Sequence, residues 1–210
     1  MIIEYHGGKI LLSEADQGRY FTHGYEDKIT QYMEAHLKPG DTFLDVGANI
    51  GYHTLHAAKL VGPTGFVHAI EPHPSNAAQL LDNVALNDYC RVTVVVGALS
   101  DSNAQWTRLH EGKNNRHHSV FSDRTPRNGR SFMVMSCRGD QLFMMTRIHM
   151  AKIDTQGAEL QVLGGLQATL IYNPGIHLIL EAHPPQTLRS QIVAELERFD
   201  HQAFYKGDSL

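Results

Sequence analysis

Five short apolar runs recur along the chain, and most are followed by a stretch with helical spacing. The runs are "TFLDVGA" from Thr42, "GFVHAIEP" from Gly65, "RVTVVVGAL" from Arg91, "HMAKID" from His149 and "GIHLILEAH" from Gly175. They are continuous rather than alternating, as strands covered on both faces must be. After them come "GYHTLHAAKL", "SNAAQLLDNVALN" with Ser75 as a candidate N-cap, "AELQVLGGLQATL" and "TLRSQIVAELERF", each apolar at helical intervals. Regular strand and helix alternation predicts a doubly wound, mostly parallel α/β sheet of the Rossmann-like type. Before the first run, "EDKITQYMEAHL" puts Ile29, Tyr32, Met33 and Leu37 on one helical face, and "KPGD" marks a turn. "AQWTRL" and "SFMVMSC" read as two further strands, and "HQAFYK" as a final one. The expected organisation is one domain over 1–210. An N-terminal arm and helix occupy 1–40, the α/β core spans 41–206, and an insertion covers 104–137.

The chain is long enough for a sizeable core, with 210 residues, 42% of them hydrophobic. Its formal charge of −4 argues against whole-molecule attraction to nucleic acid or an anionic membrane. Cys90 and Cys137 form no disulfide framework or zinc-finger spacing, and are read as reduced and buried. The opening "MIIEYHGGKI" lacks the pattern of a signal peptide, and no apolar run spans a bilayer. The expectation is a soluble, cytoplasmic protein.

The first strand ends in "DVGANIG". Ligands of open α/β sheets collect at strand carboxyl ends, so this turn borders the expected site. Gly47 and Gly51 are placed where a ligand can approach backbone. The dinucleotide pattern G-x-G-x-x-G would put a glycine two residues before Gly47, but Asp45 stands there. A carboxylate at that spot repels a pyrophosphate and suits a cationic ligand without phosphate, such as S-adenosylmethionine. Glu71, at the end of the second strand, is placed to accept both ribose hydroxyls. Together the two carboxylates disfavour an NAD-linked oxidoreductase. Read alone, Asp45 is a helix cap and Glu71 a solvated charge.

"FLDVGANIGYHTLHAAKLVG", "HAIEPHP", "GALSD" and "KIDTQGAE", in this order, resemble the FkbM family of S-adenosylmethionine-dependent methyltransferases. The resemblance runs from about Tyr25 to His183. It implies a class I methyltransferase sheet and O-methylation of a small molecule such as a sugar, glycoside or polyketide-type product, with S-adenosylhomocysteine as the second product. By the family pattern Asp45, Gly47, Ala48, Asn49 and Gly51 cradle the methionine part. Glu71 holds the ribose beside Pro72, Ala98 and Leu99 border the adenine, and Asp154 faces the methyl group. The segment at Tyr25 and Glu26 tends in this family to close over the cofactor. Two departures stand out: only one strand follows the last helix, and Gln156 occupies a position where many relatives carry a carboxylate.

Methyl transfer to oxygen requires alignment of oxygen, carbon and sulfur, and removal of the hydroxyl proton. Asp154 is a candidate to orient the hydroxyl or the cofactor amine, or to take the proton; alternatively it caps the next helix. His183, near Glu181, is a candidate general base because imidazole titrates near working pH. Glu159 complements a helix dipole. The segment from Glu111 to Arg130, with Lys113, Arg116, His117, His118, Arg124 and Arg127, either binds an anionic acceptor or is simply solvated. No H-E-x-x-H or comparable spacing appears, and no metal is expected. Expected partners are a hydroxylated small molecule and, with an exposed last strand, a second copy of the chain. The remaining alternative is a non-catalytic S-adenosylmethionine-binding module of a biosynthetic assembly.

Overall fold

The structure, a computed structural model, describes residues 1–13, 26–89, 91–111, 130–181 and 186–198. It opens with an antiparallel hairpin, β1 (Ile2–Tyr5) and β2 (Gly8–Leu11), which the search for apolar runs missed. His6 and Gly7 form its two-residue turn, with φ of 42° and 76°. Two successive positive φ values make a type I′ turn, whose twist matches that of the strands. Ile10 and Leu12 are buried. Asn87 holds the hairpin edge from its side, accepting the Lys9 N–H at 2.7 Å and donating to the Lys9 carbonyl at 2.6 Å.

Helix α1 (Asp27–His36) buries Met33, and Leu37 just beyond it is buried too. Tyr32 is 39% exposed instead, and its hydroxyl meets His177 Nδ1 at 2.8 Å. Strand β3 (Thr42–Val46), helix α2 (Tyr52–Val61), strand β4 (Phe66–Glu71) and helix α3 (Pro74–Leu86) follow as the patterns predict. The N-cap of α3 is His73 rather than Ser75, because Pro74 is pre-set for the first helical position.

The third apolar run divides at Gly97. β5 (Val92–Val96) stays in the main sheet, whereas β6 (Ala98–Ser100) leaves to pair with another element. That partner is β8 (Ser131–Arg138), which also pairs antiparallel with β7 (Gln105–His110). A Cβ at Gly97 would sit 2.9 Å from the Met135 carbonyl oxygen, so the crossing is tight enough to need glycine. Helix α4 (Asp140–Phe143) leads to β9 (Met150–Ile153). The single helix predicted over 158–170 is two, α5 (Glu159–Gly165) and α6 (Gln167–Tyr172), broken at Leu166. β10 (His177–Leu180) and α7 (Gln186–Glu197) complete the described elements. Cys137 is free and partly buried rather than buried. Cys90, the expected strand at 201–206 and residues 112–129 of the basic segment lie outside the described residues. No helix among those described is long and apolar enough to cross a membrane.

Among the described residues the main sheet is parallel, in the order β10-β9-β3-β4-β5. Every residue of β3 and of β9 is buried, as strands covered on both faces should be. Successive side chains take opposite faces. Leu44, Val46, Ile70, Ala151 and Ile153 pack with Val162, Leu163, Leu170, Ile192 and Leu196 of α5 to α7. Phe43, Val67 and Met150 pack with Met33, Ala57 and Val61 of α1 and α2. The doubly wound α/β class read from the sequence is the observed fold.

Candidate functional site

The chain builds the sheet outward from β3 in one direction through β4 and β5, then returns to the other side of β3 with β9 and β10. The reversal falls between β3 and β9, and the crevice of such a sheet opens at the carboxyl ends of those two strands. "DVGANIG" leaves β3 there, and "DTQG" leaves β9 beside it. A Cβ on Gly47, whose φ is +84°, would lie 1.9 Å from the Asp154 carbonyl oxygen. One on Gly51, φ +97°, would lie 2.5 Å from Leu80 Cδ1. Gly47 is thus demanded by packing against backbone, whereas Gly51 meets only a flexible leucine tip and is favoured chiefly by its left-handed φ.

Asp45 and Lys152 are register partners on adjacent strands, so their side chains emerge on the same face. Both are buried, at 1% and 3% exposure. Asp45 Oδ2 accepts the Thr54 hydroxyl at 2.6 Å, while its Oδ1 is buried with no hydrogen-bond partner. Lys152 Nζ donates to Asp154 Oδ2 at 3.3 Å, and Gln156 Nε2 donates to Asp154 Oδ1 at 2.8 Å. Burial alone would push the Lys152 ammonium toward its neutral form. Asp154, Asp45, Glu26 and Glu181 override it and hold its pKa above the ordinary lysine value.

Glu26 is the residue before α1, with φ of 51°, and its carboxylate contacts His53 Nε2 on α2. The contact brings the N-terminal arm over the same acidic cluster, since Glu26 is among the charges felt by Lys152. Glu71 lies one strand further on. Its carboxylate accepts the backbone N–H of Asn49 at 2.9 Å and of His73 at 2.8 Å. It thereby ties the glycine turn to the end of β4. Burial pushes Glu71 up to about 7, against the N–H groups of His73, Asn49 and Asn76, which favour the charged form. Asn49 takes a left-handed φ of 53° in this turn.

The other expected residues divide. Ala48 N–H bonds to the Ile70 carbonyl, which holds the turn against β4, and Pro72 follows that strand. Ala98 is half-buried on β6, whereas Leu99 points into the core among Ile70, Leu163 and Leu166. Glu159 is fully buried and accepts the N–H groups of Thr155 at 3.2 Å and Gly157 at 3.0 Å, closing the loop that carries Asp154. The root of the basic insertion reaches the site. Glu111 N–H bonds to the Arg130 carbonyl, and Glu111 Oε1 lies 3.7 Å from His73 Nε2. His183 and Tyr25 lie outside the described residues. Lys152 was missed by sequence reasoning. Its signal was a lone lysine inside the apolar run "HMAKID", where burial on both faces forces it to find carboxylates.

The mostly parallel sheet and its switch point are a fold that this chain shares with solved methyltransferases. The chain superposes on precorrin-6y C5,15-methyltransferase from Geobacter metallireducens with a TM-score of 0.56 at 15% identity, covering 92% of this chain and 78% of that one. Fibrillarin from Aeropyrum pernix, solved with natively bound S-adenosyl-L-methionine, gives a TM-score of 0.52 at 13% identity, covering 95% and 72%. At these identities the likeness speaks for the fold. The family is settled separately: the model of the methyltransferase FkbM domain matches residues 45–205, and the chain belongs to that family. Among curated proteins, the protein-L-isoaspartate O-methyltransferase of Ignicoccus hospitalis is 43% identical over 63 residues, 30% of each chain. The catechol O-methyltransferase of Sus scrofa is 44% identical over 61 residues, 28% of this chain and 32% of that protein. The chain thus matches less than a third of either relative's length.

Proposed function

We propose that the chain binds S-adenosylmethionine at the β3–β9 switch point and transfers its methyl group to a hydroxyl of a small molecule. The observation that carries this reading is the charge of the crevice: Glu26, Asp45, Asp154 and Glu181 gather around the Lys152 ammonium, and Glu71 stands near Asp45 one strand further on. Such a site repels a dinucleotide pyrophosphate and attracts a ligand bearing a sulfonium and an ammonium. The partnerless Oδ1 of Asp45 offers an acceptor to a donor from that ligand. A ribose hydroxyl falls to the acceptor capacity that Glu71 keeps beyond the N–H groups of Asn49, His73 and Asn76. Asn49, Gly47 and Ala48 supply the turn that the methionine part lies against, and Pro72 and Ala98 flank the base.

S-adenosylmethionine would supply an electrophilic methyl on a positively charged sulfur. Asp154 sits at the end of β9, its two oxygens held by Lys152 and Gln156, so its direction is set in advance. There it accepts the hydrogen of the attacking hydroxyl and aims the oxygen. Lys152 acts through Asp154 as a positioning residue. Gln156 does what a carboxylate in its place does only when protonated: it donates to Asp154. That gives the departure from the family pattern a physical meaning. His183 remains the proposed alternative proton acceptor.

The test is calorimetric titration with S-adenosylhomocysteine, with NAD as control, followed by methyl transfer to a panel of hydroxylated acceptors. Binding of the first and not the second, with turnover on an alcohol, is the expected result. Binding without turnover on any acceptor points to a non-catalytic module, and binding of NAD alone overturns the reading.

A further inference from the structure

On the α1–α2 side of the hairpin lies a second cluster of titratable groups that the methyl-transfer reading does not use. His6 comes from the β1–β2 turn, Glu34 from α1 and His56 from α2. His6 Nδ1 is 3.8 Å from Glu34 Oε1, and His56 Nε2 is 3.5 Å from the same oxygen. The two imidazole rings lie with centroids 4.1 Å apart, tilted by 53° to each other. One ligand atom from each of the three residues lies within 4.8 Å of the other two. Bonds of about 2.0–2.1 Å in a tetrahedron separate neighbouring ligand atoms by roughly 3.3–3.4 Å, so only small side-chain movements close the set on an ion.

His56 is the second observation. It is 2% exposed; neither ring nitrogen has a partner of good hydrogen-bond geometry, and the Thr30 backbone supplies only a looser hydrogen bond. A buried imidazole without a partner is costly unless something else engages it. His6 and Glu34 are partly exposed, which leaves an entry path and room for a water as fourth ligand.

We infer that His6, Glu34 and His56 form a binding site for a divalent transition-metal ion of the zinc type. Two imidazoles and a carboxylate suit zinc better than calcium or magnesium, which prefer all-oxygen shells. The ion fastens three elements at one point: the left-handed turn of the hairpin, the last turns of α1, and α2. It is structural, and the methyl-transfer reading does not depend on it.

The untagged full chain, stripped of metal, is titrated with Zn²⁺ against a chromophoric chelator. Beside it run His6→Ala, Glu34→Gln and, as a control on another strand, His110→Ala. Circular dichroism checks that each variant is folded. The wild type and the His110 variant should each take up one equivalent, with a rise in thermal midpoint. The two ligand variants should lose both effects, and Co²⁺ should give visible absorption bands only with the first pair. The inference is overturned if the wild type shows no stoichiometric uptake. It is equally overturned if His6→Ala and Glu34→Gln bind as the wild type does, since the ion is then held elsewhere.

Discussion

If Glu71 receives a ribose hydroxyl, cofactor affinity must depend on its ionisation. The protonated acid has one oxygen fewer to offer as an acceptor and adds a donor of its own. Burial pushes the free group up to about 7. At pH 6 about one molecule in eleven is then ionised, and at pH 8 about ten in eleven. S-adenosylhomocysteine should therefore bind about tenfold more weakly at pH 6 than at pH 8. The perturbation is Glu71→Gln, which keeps the volume and removes the charge. Its affinity at pH 8 should fall by roughly 10- to 150-fold, the equivalent of about 1.5–3 kcal/mol for a charge-assisted hydrogen bond. Isothermal titration of both proteins at several pH values separates the two effects. The wild type should show the slope and the variant should not. A flat wild-type profile, or the same slope in Glu71→Gln, refutes the assignment, because the titrating group is then another residue. The same shift bears on stability. The folded value is raised above the ordinary 4.5, so this group's contribution is fully present at low pH and is lost as pH rises through 7. In denaturant titrations without ligand, the wild type should lose up to about 3 kcal/mol relative to Glu71→Gln between pH 4.5 and 8.

Gly47→Ala should lower stability by more than about 2 kcal/mol, since left-handed backbone and a Cβ 1.9 Å from the Asp154 carbonyl are both imposed; an unchanged urea midpoint would contradict the close approach of β3 and β9. Lys152→Met strands the buried Asp45 and removes the partner of the half-buried Asp154, and should cost about 3–5 kcal/mol, read by thermal unfolding. A variant as stable as the wild type means those carboxylates are better solvated than the geometry says. Asp154→Asn should cut methyl transfer to an identified acceptor by about 100-fold or more while changing S-adenosylhomocysteine affinity only slightly; an equal loss in both would make Asp154 a cofactor ligand instead.

Much of the architecture follows from local pattern. Apolar runs with no polar alternation suit strands between two layers of helices. That holds in full for the central β3 and β9, while β5 and β10 at the sheet edges stay partly exposed. The carboxylates at the strand ends border the candidate crevice. Asp45, Glu71 and Asp154 were accordingly visible in the sequence, as was the turn at Gly47. Three things were not. The hairpin at the N-terminus lacks an apolar run because only Ile10 and Leu12 go deep, and its edge is held by Asn83 and Asn87, more than seventy residues away. The departure of β6 from the main sheet depends on β8, which the sequence places more than thirty residues later. Gly51 stands in left-handed backbone, with φ of +97°, against the tip of Leu80, which a sequence pattern does not show.

The sequence by itself determined the fold class, the position of the crevice and the sign of its charge, because each depends on residue type and short-range spacing. Tertiary structure alone decided the partners. Lys152 lies opposite Asp45 only through strand register, Glu26 reaches His53 only through the packing of α1 on α2, and His6, Glu34 and His56 converge from three separate elements. Burial turns those meetings into strong interactions, since a charge or an imidazole removed from water must be answered by whatever the fold brings beside it.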